Sequence, residues 1–191
     1  MVKELYYVTG NQGKFEEVDD FFTKQHLNFQ VKHCALDIEE IQSLDQKVVV
    51  TDKVKKAFAQ IKQPLLLDDG GIFFEAYPYF PGTLTKFIFR SLGFKGIFKL
   101  VEENAKAEFI LQLAYIDATQ IQLFEGICQG TLVHPPQTEP GHPQLPFTAI
   151  FKPNGSDKTL AQLRYTPEFS QYSFRQQALQ KFITWYTMEK C

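Results

Sequence analysis

Thr9, Gly10, Asn11, Gly13 and Lys14 stand between an alternating apolar run, Leu5 to Val8, and a stretch with helical spacing. A strand that gives way to a helix through small, hydrogen-bonding residues gathers free backbone N–H groups and the positive end of a helix dipole at one point, which is a physical recipe for an anion site. Lys14 adds a mobile positive charge there. The same residues also suit a plain strand-to-helix turn, with Asn11 as the cap and Lys14 in solvent. A second group with chemical potential is Asp68-Asp69-Gly70-Gly71, placed directly after the all-apolar Leu65-Leu66-Leu67. A strand covered on both faces is expected to end here, and strand ends in α/β sheets are where ligands commonly bind. Mg²⁺ is normally held by one or two carboxylates together with phosphate oxygens and water. Asp69 and an acid of the Glu39-Glu40 segment therefore form a candidate metal site, at which a cation would neutralise phosphate charge while another carboxylate orients a water. Asp-Asp-Gly-Gly read as a surface turn, and Asp37, Glu39 and Glu40 read as a solvated acidic loop, are the competing structural explanations.

The elements that must position these groups are legible from periodicity. Phe15, Val18, Phe21 and Phe22 recur at helical spacing, with Glu16, Glu17, Asp19 and Asp20 on the other face, so the pattern predicts an amphipathic helix over Lys14 to Gln25 whose acids suit the dipole. Phe29 to Cys34 alternates as a strand, Gln46 to Ile61 reads as a helix, and Ile72 to Ala76 resumes β character. The prolines of Tyr77-Pro78-Tyr79-Phe80-Pro81-Gly82 demand a turn. Thr83 to Leu92 and Phe94 to Val101 read as helices broken at Gly93. Ala107 to Ile116 and Ile121 to Cys128 form an antiparallel pair across Asp117-Ala118-Thr119-Gln120. Five prolines between His134 and Pro146 predict an extended, stiff loop. Ala149 to Phe151 is a short strand, and Phe174 to Met188 a closing helix. The sum is a mixed α/β fold with parallel and antiparallel pairing, over residues 1–191 as a single domain.

With 191 residues, 44% of them hydrophobic and 15% aromatic, the chain can bury a real core and disorder is not expected. A net charge of −2 without a Lys/Arg stripe argues against polymeric nucleic acid as partner, so a phosphate ligand should be small and locally held. The three cysteines, Cys34, Cys128 and Cys191, are far apart and fit a reducing compartment rather than a disulfide framework or a structural zinc site. No leader pattern opens the chain, and no apolar stretch approaches the ~20 residues of a membrane span. The expectation is a cytoplasmic protein with no membrane partner.

In this order, the motifs resemble the inosine/xanthosine triphosphate pyrophosphatase family, which removes non-standard purine nucleotides by releasing pyrophosphate. The family's T-G-N-x-x-K-x-x-E is matched by Thr9 through Glu17, its P-E-I-Q by Glu39-Glu40-Ile41-Gln42, and its (E/D)-D-S-G-L by Asp68-Asp69-Gly70-Gly71-Ile72. F-P-G is Phe80-Pro81-Gly82, K-T-x-A-E-(L/M) is similar to Lys158 through Leu163, and S-H-R-x-x-A-L to Ser173 through Leu179. The resemblance implies a two-lobed mixed-sheet fold with a central cleft, a nucleoside triphosphate substrate, Mg²⁺ and a homodimer, for whose interface Tyr77 to Phe80 and Lys86 to Phe89 are candidates. It implies that Thr9, Asn11 and Lys14 cradle phosphate, that Glu40 and Asp69 hold metal, and that Lys53 and Arg175 compensate developing charge. A slip in alignment would substitute Lys55 or Lys56 for Lys53. Asp69 is the first candidate to orient the water and Asp68 the second.

Departures concentrate at the end that would meet the base. The family's F-G-(Y/W)-D-P corresponds to Leu145-Pro146-Phe147-Thr148-Ala149, so Thr148 stands where an acid is expected. Phe174 stands beside Ser173 in place of a histidine, Phe169-Ser170 replace a lysine-asparagine pair, and Gly70 replaces a serine. Phe147, Thr148, Ser173 and Phe174 would then offer mainly stacking and shape, which relaxes or alters base preference. The reading is a nucleoside triphosphate pyrophosphohydrolase yielding a monophosphate and pyrophosphate. The alternative is a non-catalytic descendant that binds a nucleotide or a protein, with the proline-rich loop as a docking surface.

Overall fold

The computed structural model describes residues 3–25, 29–136 and 145–190. Strand β1 (Lys3–Val8) lies parallel to both β2 (Phe29–Cys34) and β3 (Leu65–Phe74). Leu5, Tyr7 and Val8 of β1 are buried, as are Leu65, Leu66 and Leu67 of β3, the near-continuous apolar character of strands covered on both faces. The registers align Val8 with Cys34 and with Leu67. Both ladders therefore stop at one level, and Thr9, Ala35 and Asp68 follow directly at the same edge.

Three further strands, β4 (Lys106–Ile116), β5 (Ile121–Leu132) and β6 (Phe151–Pro153), complete a six-stranded mixed sheet of order β2-β1-β3-β4-β5-β6. β5 and β6 are antiparallel. The turn between β4 and β5 is closed by Asp117, whose Oδ1 accepts from the backbone N–H of Thr119 (2.8 Å) and Gln120 (3.1 Å), a side chain imitating a backbone turn.

Helix α1 (Gln12–Lys24) starts two residues before the predicted point. Its first turn carries no acid, so the dipole is met by capping, with Asn11 Oδ1 accepting from the Lys14 N–H at 3.2 Å. Helix α2 (Gln46–Ile61) has the bounds the periodicity predicts, is capped by Asp45, and turns Val49, Val50, Val54 and Ala57 inward. Helix α3 (Thr85–Leu100) bends at Gly93 (φ 56°, ψ −175°), where the backbone leaves helical space and glycine is required. Short helices α4 (Leu160–Leu163) and α5 (Phe169–Tyr172) precede α6 (Phe174–Lys190). Thr159 and Gln162 form a capping box on α4, which accounts structurally for that stretch of sequence. The larger part of the proline-rich segment, 137–144, lies outside the described residues.

Two units divide the chain: Met1–Asp69 with Leu111–Gly126 and Arg175–Cys191, and Gly70–Ile110 with Ile127–Phe174. The first has one core of Val8, Val50, Val54, Leu65, Leu67 and Ala114, and an aromatic cluster in which Phe182 meets Phe22, Phe29, Tyr115 and Phe124. The second is centred on Ile72, Phe74, Phe109, Leu132, Phe147 and Phe151. At about 1.5–3 kcal/mol for each fully buried large aliphatic or aromatic side chain, either core outweighs any single polar contact described below.

One sequence expectation needs correction. The strand carrying Asp68 and Asp69 does not end at the glycines; β3 continues through Gly70 and Gly71 to Phe74. A Cβ on Gly71 would lie 2.2 Å from the Gly82 carbonyl oxygen, so this glycine admits a neighbouring backbone segment rather than a substrate. What ends at Leu67 is the pairing with β1, which frees the next two residues from that ladder.

Candidate active site

The turn after β1 is held from several sides. The Thr9 N–H donates to the Cys34 carbonyl (3.0 Å), the Asn11 N–H donates to Thr9 Oγ1 (3.1 Å), and His33 Nε2 lies 2.8 Å from the Thr9 carbonyl oxygen. Among the described residues, no heavy atom other than those of Gly10 and its two chain neighbours comes within 4 Å of the point a Cβ on Gly10 would occupy. The first turn of α1 thus begins at a fixed, open bend with Lys14 on it, the arrangement an anion needs.

Lys14 is tied into a buried ionic group. Its Nζ donates to Asp68 Oδ1, while Asp68 Oδ2 accepts from the Tyr7 hydroxyl and from Arg175 Nε at 2.7 Å. Arg175 Nη1 donates in turn to Glu17 Oε2. The side chains of Asp68, Arg175 and Glu17 are 1%, 3% and 5% exposed, whereas that of Lys14 is 19% exposed, so the lysine is the member that reaches toward solvent. Burial pushes the Asp68 carboxyl up, but the Arg175 and Lys14 charges and their hydrogen bonds overcome it and hold the group well below the usual carboxylate range. The same pairing outweighs burial at Arg175 and keeps its guanidinium charged. The Tyr7 hydroxyl is pushed far up by burial and then by the Asp68 charge, and stays protonated as a donor.

Asp69 belongs to a second cluster in the same unit. Lys53 Nζ donates to Glu40 Oε1 at 2.7 Å and lies 3.6 Å from Asp69 Oδ1. Lys56 instead meets the Glu39 carbonyl and Asp52. Burial raises the Asp69 carboxyl above its ordinary value despite the charges of Lys53 and Lys14. At Lys53, burial works against the charged form, but Asp69 and Glu40 more than compensate and raise it. The two clusters feel one another: Lys14 acts on both aspartates, and Asp68 on Lys53.

Glu40 and Asp69 converge on one cationic point, which is the donor set a divalent cation with a partly hydrated shell accepts. Among the described residues no group of three or more His, Cys, Asp or Glu side chains could hold a metal by itself. A cation here would complete its shell with water and ligand oxygens, as Mg²⁺ does on phosphates.

The residues expected at the base belong to the second unit. Phe147 is 2% exposed and packs edge-on against Phe74 and Phe89, a core position. Thr148 is half-buried, with its hydroxyl donating to the Leu145 carbonyl at 2.6 Å. Ser173 is buried and its N–H donates to the Phe169 carbonyl. Phe174 stacks on Phe109 with ring centroids 4.9 Å apart and an interplanar angle of 8°.

Sequence reasoning gave no role to Tyr7 and placed Glu17 on the polar face of its helix. Tyr7 lies inside an apolar strand pattern, where only its hydroxyl distinguishes it from phenylalanine. Glu17 stands at the last position of the resembling motif, which was the available signal that it is not an ordinary surface acid.

The comparison with known proteins decides the lineage: residues 5–185 match the model of the Ham1 family. The chain belongs to the Ham1 family. This Ham1-family chain is 33% identical over 183 residues to the dITP/XTP pyrophosphatase of Thermococcus kodakarensis, covering 95% of this chain and 96% of that one. It is 32% identical over 186 residues to the dITP/XTP pyrophosphatase of Methanopyrus kandleri, with 96% of each covered. The structure of the Staphylococcus aureus Ham1 protein superposes with a TM-score of 0.71 at 20% identity, over 98% of this chain and 100% of that one. A Mycobacterium abscessus nucleoside-triphosphatase/dITP/XTP pyrophosphatase structure gives 0.64 at 20% identity, over 94% and 97%. The mixed α/β fold of the Ham1 family is thus shared. Among the described residues, no helix is long and apolar enough to cross a membrane.

Proposed function

We propose that this Ham1-family chain hydrolyses a nucleoside triphosphate to the monophosphate and pyrophosphate, with a base preference altered or relaxed relative to the dITP/XTP pyrophosphatases it is similar to. The observation that carries the reading is the pair of coupled clusters, Lys14 with Asp68 and Lys53 with Asp69 and Glu40, gathered within one unit.

Thr9, Asn11 and the first turn of α1 receive phosphate oxygens, and Lys14 and Lys53 offset their charge. Asp69 is the base that takes the proton of the attacking water. The water oxygen bonds to the α-phosphorus as the bond to the bridging oxygen breaks, and pyrophosphate leaves with the bonding pair. Asp68 is already saturated by three donors and stays ionised, which suits it to holding Lys14 rather than to moving protons. Glu40 and Asp69 would hold Mg²⁺, which when bound would add to the neutralisation of the polyphosphate. At the base end, Thr148 and Phe174 offer no charged handle, and discrimination rests on stacking and shape. The assembly we infer alongside is a homodimer, for which exposed Tyr79 and Phe87 are available.

The test is pyrophosphate release with Mg²⁺ across common, deaminated and modified triphosphates. Release from at least one member is expected, reduced about 10²-fold or more in Asp69→Asn. A folded sample silent on every member overturns the reading, and release untouched by the substitution overturns the role of Asp69.

A further inference from the structure

Tyr7 fills a fully buried site on β1, where a phenylalanine would supply the same ring. Its hydroxyl therefore needs its own explanation. That hydroxyl donates to Asp68 Oδ2, the oxygen that also accepts from Arg175 Nε, while Oδ1 is left to Lys14. Counting formal charges, Glu17 and Asp68 against Arg175 leave one surplus negative charge, and Lys14 neutralises it. A tyrosine is the donor that can share the load on Asp68 without adding positive charge, so it leaves the demand for Lys14 intact. Two donors on Oδ2, one from β1 and one from α6, also fix the rotation of the carboxylate and aim Oδ1 at the first turn of α1.

We propose that Tyr7 is a positioning residue for Lys14, acting through Asp68 to hold the ammonium beside the Thr9–Asn11 bend where the triphosphate tail is read above. The inference rests on that reading for its purpose, but the placement of Lys14 is measurable in the free protein. Removing the hydroxyl leaves Oδ2 with one fewer donor; the carboxylate then has rotational freedom, and Lys14 loses its fixed partner.

The experiment compares wild type with Tyr7→Phe. Competitive acetylation with acetic anhydride, read by peptide mass spectrometry, gives the reactivity of Lys14 relative to Lys47 at the exposed start of α2. The expected result is a Lys14 to Lys47 ratio raised about threefold or more, with inorganic tripolyphosphate bound about fivefold more weakly by calorimetry, in a protein that still unfolds cooperatively. A purely structural hydroxyl would change the thermal midpoint and leave the ratio alone, and an unchanged ratio overturns the proposal. If the phenylalanine variant is too unstable to label at the working temperature, labelling both proteins at a lower temperature where the variant is folded gives the same decision. An increased ratio in a protein whose wild type hydrolyses no triphosphate supports the placement of Lys14 and counts against the function alone.

Discussion

Arg175 and Asp68, 107 positions apart, form a buried pair in which guanidinium Nε meets carboxylate Oδ2 at 2.7 Å while Nη1 of the same group holds Glu17. The guanidinium is thus engaged on two acids inside the protein, so its first contribution is to the integrity of the site. Replacing it by methionine keeps much of the volume but removes the guanidinium from two buried carboxylates, leaving Lys14 as the cation on Asp68. The expected loss is about 3–5 kcal/mol in urea unfolding, the usual consequence of breaking a buried pair on one side. Arg175→Lys should recover only part of this, because an ammonium cannot serve both acids with the fork of a guanidinium. A variant unfolding within 1 kcal/mol of wild type, roughly the value of an exposed pair, would contradict this picture.

Phe147 and Thr148 are adjacent but predict different phenotypes. Phe147 lies in the core with Phe74 and Phe89, so Phe147→Ala should cost about 3–5 kcal/mol of stability. Thr148 is half-buried, and its hydroxyl donates to the nearby Leu145 carbonyl. On the proposed function, Thr148→Asp adds the missing polar handle and should raise kcat/KM for deaminated over common purine triphosphates by about tenfold. A ratio that does not move would detach Thr148 from base recognition.

Where local chemistry dictates an element, the sequence was sufficient. The reading of Gln46 to Ile61 as a helix matches α2, and Gly93 marks the bend in α3 because only glycine takes that backbone conformation readily. The candidate phosphate turn was legible for the same reason, since its cap, glycines and lysine are contiguous. What was not legible depends on partners distant in the chain. Gly71 looks like a turn residue until Gly82 is seen against it. Glu17 looks solvated until its partner, 158 positions on, is in place. Tyr7 reads as core filling, because a strand pattern registers the ring and says nothing of the hydroxyl.

Lys62 ends α2 in the left-handed conformation, φ 55° and ψ 28°, with its N–H donating to the Phe58 carbonyl. This is the position where helices most often use glycine, since a Cβ is penalised there. The side chain is exposed, so removing it sacrifices little packing. Lys62→Gly should therefore stabilise the protein by about 0.5–1 kcal/mol in chemical denaturation, even though glycine also gains freedom in the unfolded chain. A destabilised variant would mean that the lysine side chain contributes more than its exposure suggests.

Cys128 gives the clearest pH dependence. Its side chain is buried in the second unit's core, and burial pushes the thiol up to about 12, whereas a thiol in the unfolded chain titrates near 8.5, an order-of-magnitude reference value. Below the unfolded value both states hold the proton, and the contribution of this group to stability is fully present. As pH rises past it, the unfolded thiol ionises while the folded one does not, so unfolding gains up to about 1.4 kcal/mol per pH unit until the folded value is reached. Stability from this group is thus lost on the alkaline side. In the folded protein at pH 8 the thiol at this position stays protonated, so reagents that need thiolate should leave Cys128 unmodified over a time that labels it fully in urea. Mass spectrometry of the tryptic peptide carrying Cys128 checks this, and labelling as fast in the folded protein as in urea would show that the thiol is neither buried nor shifted.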